Sequence, residues 1–237
     1  MKKQKNGTLV LVRHGESRWN VHNRFTGWVD VPLSSHGVDE AEICAKHCKK
    51  FDFDAAFTSK LERAQATLTI ILSRQNRTGI VQHTDRGKKY AWLCNSSACL
   101  PDDIPIFDSE ALNERYYGIL QGMEKKEAEK KYGEEKVLGW RRGYATKPPK
   151  GESLREAHAR MLPCFKKQIL PRVQNGESVI VCAHGNSLRG MIKHIEEISD
   201  DDIAFIDLPE ATPIVYTYEK GDFLHTSGEY DFNRPLR

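Results

Sequence analysis

TLVLVRHGES, residues 8–17, runs from five consecutive apolar or β-branched residues straight into an arginine, a histidine and a glycine. A short apolar run bounded by a turn signal reads as a buried strand over 8–13, which puts His14 at the carboxyl end of that strand. A second apolar run, SVIVCAH at 178–184, also ends on a histidine followed by glycine, His184 and Gly185. Open α/β sheets bind ligands at the carboxyl ends of their strands. Two histidines placed there are what a phosphate-handling imidazole site needs, so the reading turns on whether His14 and His184 meet in one pocket.

Working outward, strands alternate with helices. Ser34 or Ser35 is placed to cap a helix running to about Lys50, and DAAFT (54–58) reads as a second strand. Leu61, Ala64, Leu68, Ile71 and Leu72 form a helical stripe within 59–74, and IPIFD (104–108) reads as a strand. The polar stretch between Arg74 and Pro105 reads as a long surface loop with one short helix. Residues 124–142 are helical in composition and interrupted near Gly133, and a long helix through Val173 follows the turn KPPKGES, bent or ended by Pro163 and Pro171. A helix after SVIVCAH and a strand PIVYTY (213–218) close the sheet. This alternation predicts an α/β fold, a three-layer αβα sandwich around a mostly parallel sheet. The whole chain, 1–237, reads as one domain, with a flexible N-terminus at 1–7 and a polar, mobile C-terminal tail at 219–237 that is positioned to close over the site.

Composition excludes several classes. No run approaches the ~18 apolar residues of a membrane span, and TLVLV is too short for a signal peptide core. The net charge of +3 comes from 36 basic and 33 acidic residues, well interleaved, which is not the basic stripe of a nucleic-acid binder. The six cysteines (44, 48, 94, 99, 164 and 182) form no CxxC pair, and they read as reduced thiols of a cytoplasmic protein. Cys44, His47 and Cys48 lie on one predicted helix without a fourth ligand, so no metal is expected.

Arginine beside His14 supplies a planar fork of donors suited to phosphate, and Gly15 would let backbone approach a ligand. Further blocks follow in order: FTGW (25–28), TS.L.RA (58–64), LNER.YG.LQG (112–122), YGEE.V..WRR (132–142), GESL (151–154) and AHGNSLRG (183–190). With these blocks the chain resembles the histidine phosphatase superfamily, and more closely its phosphoglycerate mutase branch that depends on 2,3-bisphosphoglycerate. The resemblance runs from Leu9 to about Tyr216.

The resemblance implies that His14 is the nucleophile that becomes phosphorylated, with its other ring nitrogen donating to a backbone carbonyl. His184, Arg13 and Arg63 would stabilise the phosphoryl oxygens, helped by Asn20 and by Gly185 and Asn186. Glu114 would be the general acid and base; its alternative is an ordinary ion pair with Arg115. Thr26, Gly27, Tyr117, Lys125, Arg141 and Arg142 would bind substrate, a role that competes with a solvated helix face for the three cations. Adjacent arginines cannot share one side of a helix, which favours placing Arg141 and Arg142 at a helix end. The implied activity is an isomerase acting on small phosphoglycerates in glycolysis and gluconeogenesis. It would be primed by 2,3-bisphosphoglycerate without a metal, in a monomer or homodimer, with no nucleic-acid or membrane partner.

Three departures from the family pattern stand out. Tyr116 replaces a common histidine, Glu210-Ala211 replaces threonine-glycine, and the connection from Pro149 to Gly151 is short while the loop at 83–107 is long. A phosphatase or a bisphosphoglycerate mutase on the same scaffold is the alternative enzyme, although a simple phosphatase needs no clamp of Lys125, Arg141 and Arg142. A non-catalytic binding protein would be expected to have lost at least one of the five central residues.

Overall fold

Strand β1 (Gly7–Arg13) is buried on both faces, and its alternate side chains feed two different cores. Leu9 and Leu11 pack in one cluster with Met161, Phe165, Leu188 and Met191. Val10 and Val12 pack in the other with Cys44, Cys48, Leu68 and Ile71. That period-2 division, on a strand covered on both sides, is what makes the fold a three-layer sandwich. The computed structural model describes residues 5–82 and 103–232.

The helices that cover the sheet follow their local signals. After a single helical turn α1 (Arg18–Val21), helix α2 (Ser35–Cys48) starts at Ser34, whose hydroxyl accepts from the Gly37 N–H. Strand β2 (Ala55–Thr58) leads to α3 (Glu62–Leu72), and α2 and α3 cover one face. The opposite face carries α6 (Leu154–Cys164), opened by a Ser153–Glu156 capping box, and α8 (Gly185–Ile195). Between α6 and α7 (Leu170–Gln174) the chain winds as a π-helix over Phe165–Ile169. This wider turn precedes Pro171, which has no N–H to donate. Helices α4 (Lys125–Tyr132) and α5 (Glu134–Arg142) meet at Gly133, whose φ of 91° few other residues adopt.

The main sheet has seven strands in the order β3-β4-β2-β5-β1-β7-β8. Its members are β3 (Thr78–Gln82), β4 (Asp103–Asp108), β5 (Ser178–Ala183), β7 (Pro213–Glu219) and β8 (Asp222–Ser227) beside β1 and β2. Strands β3, β4, β2, β5 and β1 pair in parallel, and β7 and β8 add antiparallel. A short pair, β6 (Ile206–Asp207) with β9 (Asp231–Phe232), lies apart from it.

Three expectations need correction. TGIVQ, read as loop, is the edge strand β3. None of its side chains is fully buried, so it lacks the apolar run that marked the others. The sheet does not close at 213–218, because the expected tail contributes β8. That strand follows a two-residue turn with positive φ at Lys220 and Gly221, which is the hairpin geometry favoured by strand twist. Its side chains are mostly exposed, so no alternation betrayed it. Of the expected long loop at 83–107, residues 103–107 belong to β4, while 83–102 lie outside the described residues, as do the tail's last residues.

One close contact fixes the turn after β1 against α2. A Cβ on Gly37 would sit 2.1 Å from the Glu16 carbonyl oxygen, and one on Gly15 would sit 2.4 Å from the Gly37 oxygen. Gly37→Ala is therefore expected to destabilise the protein by about 1–3 kcal/mol, read as a lower urea midpoint at unchanged slope. An unaltered midpoint would remove this contact from the account of the fold.

Candidate active site

Parallel pairing brings the two histidines together. β1 and β5 are neighbours in a register that sets Arg13 opposite Ala183, and the His14 N–H donates to the Ala183 carbonyl at 3.0 Å. The next residue on each strand is a histidine, and the two rings lie edge to face with centroids 5.0 Å apart. Both are buried.

The hydrogen bonds of His14 define its tautomer. Nδ1 lies 2.7 Å from the Gly15 carbonyl oxygen, which only accepts, so Nδ1 carries the proton. Nε2 keeps its lone pair and accepts from Arg63 Nε at 3.2 Å. Burial first, then Arg63 and Arg13, hold the His14 pKa well below the ordinary imidazole value. The ring is thus neutral at physiological pH, with an unprotonated Nε2 that Arg63 holds by a hydrogen bond. His184, bonded through Nε2 to Ser59 Oγ at 2.7 Å, is lowered by burial and then by Arg63 and His14.

Arg63 is fixed from its far side by the carbonyls of Gly27 at 2.8 Å and Val29 at 3.1 Å. Burial pulls its pKa down to about 10, which leaves it charged at neutral pH. Arg13 donates to Leu208 O at 2.7 Å and to Glu210 Oε1 at 2.6 Å. Asn20 Nδ2 reaches the same carboxylate oxygen at 3.1 Å. Gly27 has φ of 54°, and a Cβ there would stand 2.3 Å from Gln121 Oε1, so the FTGW turn requires glycine.

Glu114 is not ion-paired to its neighbour. Its Oε1 accepts from the Arg115 backbone N–H and from Asn186 Nδ2, each at 2.7 Å, while the Arg115 guanidinium bonds Arg141 O and stacks on Tyr117. The Tyr117 hydroxyl lies 3.2 Å from Asn186 Nδ2.

These groups surround one cavity of about 280 Å³, a small-molecule size. Of the residues expected at a site, Arg13, His14, Asn20, Thr26, Gly27, Arg63, Glu114, Tyr117, Lys125, Arg141, Arg142, Gly185 and Asn186 all line it. His184 stands behind, against His14. Lys125 begins α4, while Arg141 and Arg142 end α5, as their adjacency suggested. Both helices are anchored by a small core of Phe25, Leu120, Ala128, Val137 and Trp140. The Lys125 pKa is lowered by burial and then by Arg141.

Sequence reasoning missed Arg24, Arg189, Asp207 and Leu208, which also line the cavity, and Ser59 behind His184. Arg189 was visible in AHGNSLRG, three residues after Asn186 and so on the same helix face. Asp207 sits in a polar stretch with no pattern to mark it. Gly15 needs correction: its absent Cβ faces α2, not a ligand. Tyr116 does not line the cavity and packs edge-on against Trp28. Among the described residues, no group of three His, Cys, Asp or Glu side chains is placed to hold a metal.

The profile of the histidine phosphatase superfamily (branch 1) matches residues 9–86 and 96–227. The chain is 48% identical to a 2,3-bisphosphoglycerate-dependent phosphoglycerate mutase of Methanosarcina acetivorans, covering 94% of this chain and 96% of that one. It is 42% identical to the protein of the same name from Chlamydia pneumoniae, over 89% and 93% of the two. Among solved structures, Bacillus stearothermophilus YhfR shares the fold at a TM-score of 0.71 and 24% identity, over 92% of this chain and 94% of that one.

Buried neutral histidines make stability depend on pH. His14 and His184 are depressed, and His158 is pushed down to about 4, first by burial. Below about pH 6.5 the unfolded chain binds protons that the native one refuses, so stability falls with falling pH, by up to about 1.4 kcal/mol per pH unit for each histidine. Glu210, raised by burial, acts in the opposite direction. Urea unfolding at pH 7.5 and 5.5 should show the loss, and His158→Gln should reduce it. Equal stability at the two pH values would contradict the buried neutral state.

Proposed function

The chain belongs to the histidine phosphatase superfamily, and from that premise we propose that it works as a phosphoglycerate mutase dependent on 2,3-bisphosphoglycerate, interconverting 2- and 3-phosphoglycerate through a phosphohistidine. It is an isomerase, an intramolecular phosphotransferase. The observation that carries the substrate class is that Lys125, Arg141 and Arg142 line the same cavity as His14, Arg13 and Arg63. A bisphosphoglycerate carries about −1.5 to −2 on each phosphate at pH 7 and a carboxylate besides, which calls for several cations in one place. The three added cations are more than a simple phosphatase requires.

2,3-Bisphosphoglycerate supplies the phosphoryl group that loads the enzyme. His14 Nε2 attacks phosphorus in line as the bond to the substrate oxygen breaks. Arg63, Arg13, Asn20 and Gly185, which line the cavity, face the charge on the transferring group, and His184 backs His14; such donors, already in position, provide most of the stabilisation in phosphoryl transfer. Arg63, which donates to Nε2 before reaction, has to pass that donation to the phosphoryl oxygens. Glu114 gives its proton to the departing oxygen. In the return step it takes the proton from the attacking 2- or 3-hydroxyl as the bond from Nε2 to phosphorus breaks. Its Oε1 is occupied by two donors, so Oε2 is the oxygen that exchanges the proton. The Nδ1–Gly15 bond holds the ring and supports the positive charge it acquires.

No metal enters this scheme, because imidazole is the nucleophile and arginines neutralise charge. No helix among the described residues is long and apolar enough to cross a membrane. The buried free thiols of Cys44, Cys48, Cys164 and Cys182 support a reducing, cytoplasmic setting. We place the activity in glycolysis and gluconeogenesis.

The test is a coupled assay of 3-phosphoglycerate consumption in chelator, with and without 2,3-bisphosphoglycerate. Stimulation by the primer with no metal requirement is expected, and phosphate release equal to substrate loss would overturn the mutase reading. His14→Ala should abolish turnover. Lys125→Met should raise KM at least about tenfold, as expected for lost contact with a charged group, and an unchanged KM would remove Lys125 from the substrate clamp.

A further inference from the structure

Among the described residues, the Glu114 carboxylate is held through one oxygen only. Both Asn186 Nδ2 and the Arg115 N–H donate to Oε1, so the orientation of the carboxylate depends on which end of the Asn186 amide faces it. That choice is made on the amide's other side, where Oδ1 accepts from Arg189 Nη1 at 3.2 Å. A guanidinium has donors and no acceptor. Turning the amide end for end would set NH₂ against Arg189 and oxygen against the Glu114 carboxylate, two repulsive contacts in place of two bonds. Arg189 is buried and is itself held by Asp207, through Nη2 to Oδ1 at 3.1 Å. The other oxygen of Asp207 lies 3.5 Å from Arg142 Nη2.

We propose that Arg189, fixed by Asp207, is a positioning residue for the proton-transfer step: it locks the Asn186 amide and so leaves Oε2 of Glu114 as the oxygen aimed at the substrate hydroxyl. The proposal rests on the reading of Glu114 as the acid and base. Through Asp207 it also ties that group to Arg142, so the substrate clamp and the proton-transfer group share one carboxylate. Other groups also face Glu114. Arg63 approaches from α3, the Tyr117 hydroxyl shares Asn186 Nδ2, and Arg160 holds the Glu114 carbonyl at 3.2 Å.

The experiment measures kcat and KM for 3-phosphoglycerate against pH in the primed enzyme and in Glu114→Gln, Arg189→Met and Arg189→Lys. Glu114→Gln identifies the limb of the profile that belongs to Glu114. Arg189→Met removes a positive charge and frees the amide, both of which disfavour the ionised carboxylate. That limb should then move to higher pH by about half a unit to one unit. The kcat should fall about tenfold, part of the usual contribution of general acid–base catalysis, while KM stays within about threefold. Arg189→Lys, which keeps a charged donor, should recover most of the loss. Asp207→Asn frees Arg189 while removing a negative charge that opposes ionisation of Glu114. Its kcat should fall by less than that of Arg189→Met, with little movement of the limb. Should Arg189→Met fail to fold, a wild-type kcat in Asp207→Asn would count against the proposal.

A raised KM with unchanged kcat would make Arg189 a direct substrate ligand and overturn the proposal. An unmoved limb with wild-type kcat would also overturn it. If Glu114→Gln itself leaves rate and profile unchanged, the acid–base reading of Glu114 falls, and the role of Arg189 falls with it.

Discussion

The pairing of β1 with β5 is the constraint on which the rest of the site depends. A parallel ladder fixes register strongly where both faces are buried, because a one-residue slip would turn every side chain to the wrong layer. Here Leu9 and Leu11 belong to one core and Val10 and Val12 to the other. The same pairs that satisfy those cores set Arg13 opposite Ala183. The 5.0 Å approach of the His14 and His184 rings is therefore a product of core packing. No separate interaction is needed to draw the histidines together.

Bringing so much positive charge into one cavity costs desolvation and repulsion, and the structure offsets both with oxygen atoms. Carbonyls of Gly27 and Val29 hold Arg63, Leu208 O and Glu210 hold Arg13, and Asp207 holds both Arg142 and Arg189. The Lys125 ammonium has no hydrogen-bond or ion-pair partner among the described residues, and burial with the Arg141 charge lowers its pKa. An anion entering the cavity would find Lys125 least compensated, whereas the arginines already stand in fixed orientations. Preorganised donors of this kind need little rearrangement as charge develops on a transferring group.

Much of this was legible in the sequence, for reasons that differ by element. Strands β1 and β5 announced themselves because both faces are buried, which leaves continuous apolar runs. The break between α4 and α5 was visible because Gly133 needs a positive φ. The edge strands β3 and β8 were hidden, since partial exposure removes the pattern that burial imposes. The same division holds in the site. Residues inside compact motifs, such as Glu114 in LNER, could be found. Asp207, which acts through Arg142 and Arg189, gains its meaning only from side chains distant in the chain.

The departures from the family pattern sit where the structure tolerates them. Tyr116 packs on Trp28 away from the cavity, so its exchange for histidine leaves the lining intact. The short link at 149–151 is pressed onto the site loop: a Cβ on Gly118 would meet Pro149 O at 2.3 Å, which leaves no room there for bulk. Glu210 is different, because its carboxylate bonds both Arg13 and Asn20. It holds the two side chains in one arrangement and draws on the positive charge that Arg13 presents to the cavity. Raised by burial and by Glu40 and Glu16, that carboxylate is less firmly ionised than an exposed one, so its restraint on Arg13 weakens as pH falls. The orientation of Arg13 in the cavity is thus tied to a carboxylate that does not line it.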